Sequence, residues 1–148
     1  MKTRLLLSNA IKLYLFIVIF SGCSDENAEL KFQQACMKND IENVKKYVEK
    51  IDINGEVSRV HFVNAILKEN DAITGAMIDA GINLEFGTEH GTILMAGVLY
   101  GSTEFVKQLM DAGIDVNKKN SSGATALSLA KLTNKKEKIK LLESYGAK

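Results

Sequence analysis

Two cysteines, Cys23 and Cys36, and two histidines, His61 and His90, are the residues of this 148-residue chain best suited to metal-binding or nucleophilic chemistry. Their number and spacing exclude most of it. A structural zinc site draws four ligands from Cys and His at short intervals, and no such set exists. Neither histidine has a second one at ligand spacing, and no Ser/His/Asp order, paired-acid spacing or phosphate-binding glycine loop stands out. Both histidines are read as solvated turn residues. No metal, no cofactor and no enzymatic activity are expected. The composition, with no proline, no tryptophan, 46% hydrophobic and 25% charged residues, is that of one ordinary domain, neither disordered nor a disulfide scaffold. A net charge of +1 argues against a nucleic-acid partner.

The chemistry left to Cys23 is modification, and the elements around it decide which. Lys2, Arg4 and Lys12 supply a basic head, residues 13–20 (Leu-Tyr-Leu-Phe-Ile-Val-Ile-Phe) an apolar middle, and Ser21-Gly22 small residues before a cut. A membrane-spanning helix needs roughly 20 apolar residues, and the uninterrupted run is about half that length. The junction Phe20-Ser21-Gly22-Cys23 resembles the lipobox of bacterial lipoprotein signal peptides, although Phe20 stands where leucine is usual. The resemblance implies cleavage before Cys23, lipidation of its thiol and a lipid bilayer as one partner. A simple secretory signal is the alternative. A lipidated Cys23 has no thiol for a disulfide, which would leave Cys36 as a small buried packing residue. The expected organisation is residues 1–22 as signal peptide, 23–28 as lipidated cysteine and tether, and 29–148 as the folded domain.

Self-similarity organises that domain. Residues 101–117 contain Ala112-Gly113-Ile114-Asp115-Val116-Asn117, and residues 123–130 read Gly-Ala-Thr-Ala-Leu-Ser-Leu-Ala. Weaker copies of the turn stand at residues 79–83 and 51–54. These segments resemble the ankyrin repeat, whose period is about 33 residues. The fold expected is all-α, an ankyrin-repeat solenoid of about four helix-turn-helix repeats with short hairpin loops, at about 29–54, 55–84, 85–117 and 118–148. Ile51, Gly81, Gly113 and Gly146 take the turn-glycine position, and Ala35, Ala65, Gly97 and Ala130 the small position where neighbouring helices approach. Phe105, Val106, Leu109 and Met110 form one apolar helical stripe, as do Ile41, Val44, Tyr47 and Val48. The second repeat is one or two residues short and carries Gly75 inside a helix, so it is expected to be the least regular.

The resemblance implies a binding surface on the concave face and hairpin tips. Met37, Leu67, Leu99 and Leu132 recur at one register, flanked by Lys38, Lys68 and Tyr100, and form either a partner-binding row or packing between inner helices. Phe86, Glu89, Lys118 and Lys119 fall at hairpin tips. Phe86 is either tucked under its finger or offered to a partner.

Charge is unevenly placed along the chain. Residues 24–117 hold 8 basic and 16 acidic residues, whereas 118–148 hold 8 and 2. The lysines at 131, 135, 136, 138 and 140 read as the solvated face of a terminal repeat, which solenoids need for solubility, or as a contact for anionic lipid headgroups or an acidic partner. The functional expectation is a monomeric, lipid-anchored, periplasm-facing protein-binding module, with outer membrane favoured over inner. An immunity protein that neutralises a toxic effector and an envelope-maintenance adaptor are the two competing roles.

Overall fold

The computed structural model describes residues 26–87 and 91–148. Among them eight helices follow one another: α1 (Glu26–Lys38), α2 (Ile41–Val48), α3 (Glu56–Leu67), α4 (Asp71–Asp79), α5 (Ile93–Tyr100), α6 (Thr103–Asp111), α7 (Ala126–Leu132) and α8 (Lys136–Ser144). They form four hairpins, α1–α2 to α7–α8. The odd-numbered helices pack in sequence as an inner layer and the even-numbered ones as an outer layer. This is the expected all-α solenoid. The core runs along the array between the layers, through Phe32, Val44, Phe62, Met77, Leu94, Phe105, Leu109 and Leu142, all fully buried. Ala35, Ala65, Gly97 and Ala130 are buried too. A larger side chain at those four positions would force inner helices apart. The start differs from expectation, because α1 begins at Glu26, inside the stretch read as tether, and Ala28 is buried.

How each helix stops determines the register. The outer helices α4, α6 and α8 end on Gly81, Gly113 and Gly146, each at φ +82°. In each case the next amide returns to a carbonyl five residues back, as Ile82 N to Met77 O at 3.1 Å and Ile114 N to Leu109 O at 3.3 Å. This is a Schellman closure, which needs a left-handed residue and so favours glycine. In the first repeat the matching amide bond is Lys50 N to Tyr47 O, so Lys50 and not Ile51 stands in register with the glycines. The irregularity therefore sits in the first repeat, whose outer helix α2 has 8 residues where α4 has 9.

The second repeat is short for a different reason. Its Val60 replaces the threonine that caps α5 and α7 as Thr92 and Thr125. Without that stop signal α3 starts earlier, at Glu56, and runs 12 residues, so the preceding finger shrinks to a tight turn closed by Gly55 N to Asp52 O at 3.0 Å. Gly75 is equally well accounted for. A Cβ there would lie 3.3 Å from Nε2 of Gln108, whose amide reaches past it to Thr74 Oγ1 and to the Asp71 carbonyl, each at 3.2 Å. Its helix-propensity cost of about 1 kcal/mol relative to alanine is offset by bonds that tie α4 to α6.

Inner helices close in the same way in three repeats out of four. Asn39, Glu69 and Asn134 are left-handed (φ 57°, 51° and 55°), and the following amides return to Ala35 O, Ala65 O and Ala130 O at 2.9 Å each. The third repeat has Gly101 there, yet its φ is −83°. The ring of Phe105 explains why a glycine is needed without a left-handed turn: a Cβ on Gly101 would stand 2.7 Å from Phe105 Cδ1. Lys138 from α8 caps this extended ending, its ammonium donating to Val98 O and to Gly97 O, which also accepts from Gly101 N, at 3.0 Å each, and to Gly101 O at 2.5 Å. Lys138, read from sequence as part of a solvated face, is thus a buried cap with 7% exposure. It sits at the negative end of the helix dipole. Burial first, then the charge of Lys135, draws its pKa below the ordinary lysine value.

Two stability measurements follow. Glu69 holds a left-handed conformation that costs a non-glycine residue about 1 kcal/mol, so Glu69→Gly should raise the urea midpoint, equivalent to about 0.5–1 kcal/mol. An unchanged or lowered midpoint contradicts the assigned strain. Lys138→Met should cost about 2–3 kcal/mol, because three carbonyls lose a charged donor. A loss no greater than that of the exposed Lys140→Met would show that the cap contributes nothing.

Candidate protein-binding face

Each inner helix presents the residue two positions after its small contact residue. At 100° per residue that is 200° around the helix, the side turned away from the contact. Met37 (67% exposed), Leu67 (55%) and Leu132 (81%) accordingly stand in solvent, and Leu99 is half-buried. Tyr100 is exposed beside Leu99, and Lys38 and Lys68 are exposed beside Met37 and Leu67. With inner helices about 8–10 Å apart, the four apolar side chains recur along the whole array. Leu30 and Val60, 54% and 52% exposed, lie two turns upstream of Met37 and Leu67 and widen the row at its N-terminal half. The signal that identifies them is the interval of seven, which returns a residue to the same helix face.

Beside Val60 the surface dips into a hollow of about 520 Å³, lined by Glu56, Arg59, Val63 and Asn64 of α3 and by Phe86 and Gly87 of the following finger. Phe86 is half-buried, its ring edge-on to Phe62 with centroids 6.2 Å apart. It is anchored by the core on one side and forms a wall of the hollow on the other, so the two readings of this residue coexist. On the next finger Lys119 is exposed, while Lys118 is half-buried and ion-paired with Glu85. Glu89 and His90 lie outside the described residues, as do Cys23 and the leader.

Other residues singled out in the sequence turn out to have structural surroundings. His61 is not a turn residue; it lies within α3, half-buried, with its ring edge-on to Phe32 at 5.9 Å. Burial, then the charge of Lys68, lowers its pKa. Cys36 carries a free thiol, partly buried and packed against the core. Burial alone pushes its pKa up to about 12. The folded state therefore holds this proton more tightly than the unfolded chain does. Its contribution to stability is complete below pH 9 and fades as the pH rises toward 12. Thiolate is the reactive form, so iodoacetamide at pH 8 should leave Cys36 unmodified in the folded protein and alkylate it readily in urea. Equal rates in both states would refute the protected thiol.

Among the described residues no three His, Cys, Asp or Glu side chains gather as a metal site would require, and no helix is long and apolar enough to cross a membrane. No curated protein matches the sequence. The family model of ankyrin repeats, in three copies, matches residues 32–148, from within α1 to the end of the chain and across all four helical hairpins. The chain belongs to the ankyrin-repeat family, whose repeats serve in protein–protein interaction.

Proposed function

We propose that this ankyrin array is a membrane-anchored, periplasm-facing binding module whose protein partner docks along the inner-layer row of Met37, Leu67, Leu99 and Leu132. The observation that carries the docking site is that row itself, exposed in three repeats and half-buried in the fourth, at one register throughout. Contiguous exposed apolar surface of this kind is uncommon on a protein that binds nothing. An aromatic at Tyr100 and lysines at 38 and 68 give it the polar and aromatic edge of an interface core. Leu30, Val60 and the hollow under Phe86 continue the surface and would seat a protruding side chain of the partner. The anchor reading is carried by the basic head, short apolar run and Ser-Gly-Cys junction that resemble a lipoprotein signal.

A single continuous face favours one partner bound one-to-one, as an immunity protein would bind its effector. An envelope adaptor, with several weaker partners, is the alternative. Small interface cores concentrate binding energy in a few central side chains. With a partner captured from membrane extracts, Leu67→Asp and Leu132→Asp should each weaken the dissociation constant by about tenfold or more, with thermal stability nearly unchanged because both side chains are exposed. Binding that is unaltered by both changes rejects the row. One-to-one stoichiometry by light scattering supports the immunity role, and several partners of micromolar affinity support the adaptor. Radiolabelled palmitate should enter the wild-type chain and not Cys23→Ala; label in both, or in neither, removes the anchor.

A further inference from the structure

The side of α1 and α2 turned away from the second repeat is rich in lysine. Along α1 the positions facing this side are Lys31, Gln34 and Lys38, and along α2 they are Asn43, Lys46 and Tyr47, followed by Lys50 in the turn after α2. Three ammonium groups surround the Tyr47 ring, with Lys31, Lys46 and Lys50 at 5.6, 5.3 and 5.8 Å from its centroid. Lys38 borders a hollow of about 180 Å³ that the same ring lines. The one carboxylate there, Asp40, is engaged as the cap of α2, accepting from Asn43 N at 3.1 Å and Asn43 Nδ2 at 2.7 Å. Glu42 and Glu49 stand one turn to either side of Lys46 on the adjoining flank of α2, beside Lys45, and neither forms an ion pair with Lys46. Among the described residues no ion pair neutralises the four lysines.

A polar cap would suffice for solubility, and it needs no single sign. Gathering like charges about one ring works against cohesion of the isolated protein, and an external anionic surface reverses that penalty. We propose that this end of the first repeat is a docking face for an anionic phospholipid bilayer. Its orientation rests on the anchor at Cys23. Only Ser24 and Asp25 separate that residue from α1, a reach of at most about 11 Å, so a lipidated chain presents its N-terminal end to the membrane. The ammonium groups would contact headgroup phosphates, and the Tyr47 ring would sit at headgroup level as interfacial aromatics do. The lysine-rich opposite end is less available: Lys131 is paired with Glu143 at 3.1 Å and Lys138 is buried in α5's C-terminal cap. Docking at this end engages Lys38 at the edge of the binding row and leaves Leu67, Leu99 and Leu132 free for the partner.

The apolar stripes of all four hairpins are buried by residues between Ala28 and Ala147, so a lipid-free chain starting at Ser24 retains the whole solenoid. Its co-sedimentation would be measured with vesicles of phosphatidylcholine alone and of phosphatidylcholine with 30% phosphatidylglycerol, on the order of the anionic content that gives a negative surface potential. The chain should sediment with the anionic vesicles only. Changing Lys31, Lys38, Lys46 and Lys50 together to Gln should lower the partition about tenfold or more, and Lys46→Gln with Lys50→Gln alone about threefold or more. A rise from about 0.1 to 1 M salt should also abolish binding, as the Debye length falls from about 10 to 3 Å. Lys135, Lys136 and Lys140 changed to Gln should leave the partition within about twofold. Equal binding to neutral vesicles, no binding to either, or a larger loss on changing the C-terminal lysines overturns the proposal. Because the chain carries no lipid, these outcomes are independent of palmitate labelling, which tests the anchor separately.

Discussion

The helices among the described residues have between 7 and 13 residues, and isolated helices of that length are marginal in water. Each must therefore be stabilised from outside, by neighbours that cover its apolar stripe and by partners for the amides and carbonyls left open at its ends. Both requirements are met by repetition. Every hairpin lends one face to the hairpin before it and another to the hairpin after it, so the core is continuous although no single repeat could form one. Asparagine and aspartate side chains join the repeats at their turns: Asn70 donates to Asn39 at 2.6 Å, Asn83 to Asn54 at 2.6 Å, and Lys148 to Asn117 at 2.8 Å.

The third repeat shows what happens when one such closure changes. Gly97 and Gly101 allow Phe105 to press against the end of α5, and the Schellman return bond found in the other inner helices gives way to an extended ending. Carbonyls left open at depth are costly, and the side chain that satisfies them comes from 37 to 41 residues away. Lys138 stands at the register position of Phe105 and Ile73, both core residues of their own repeats. One lysine thus replaces an apolar side chain because its charge completes a helix end in the neighbouring repeat. Removing the local bond and supplying the distant one are two halves of the same arrangement.

Function and packing divide the inner helices by angle. The small residues turn toward the next inner helix, and the residues two positions later turn away, leaving Met37, Leu67 and Leu132 exposed and Leu99 half-buried. At the fingers the division is less clean, since Phe86 holds to Phe62 while walling the hollow beside Val60. The hollow beside Val60 continues the row, and Lys38 joins the row to the lysine-rich end of the first repeat.

Fold class was legible in the sequence because it depends on local periodicity: apolar intervals of three and four, glycines that can turn left-handed after each outer helix, and small residues at a fixed register. The exposed row was legible as a recurrence, but whether it faced solvent was not, since an apolar residue looks the same in either place and only the stacking angle decides. Other features depended wholly on tertiary contact. The early starts of α1 and α3 placed Leu30 and Val60 inside helices, on the exposed side. His61 became a half-buried helix residue beside Phe32. Lys138, one of five lysines in a basic stretch, was separated from the rest by three carbonyls of another repeat. Local chemistry determines which segments are helices and where they stop. Long-range packing determines which side chain meets water, because that is set by a neighbour whose distance along the chain the local pattern does not encode.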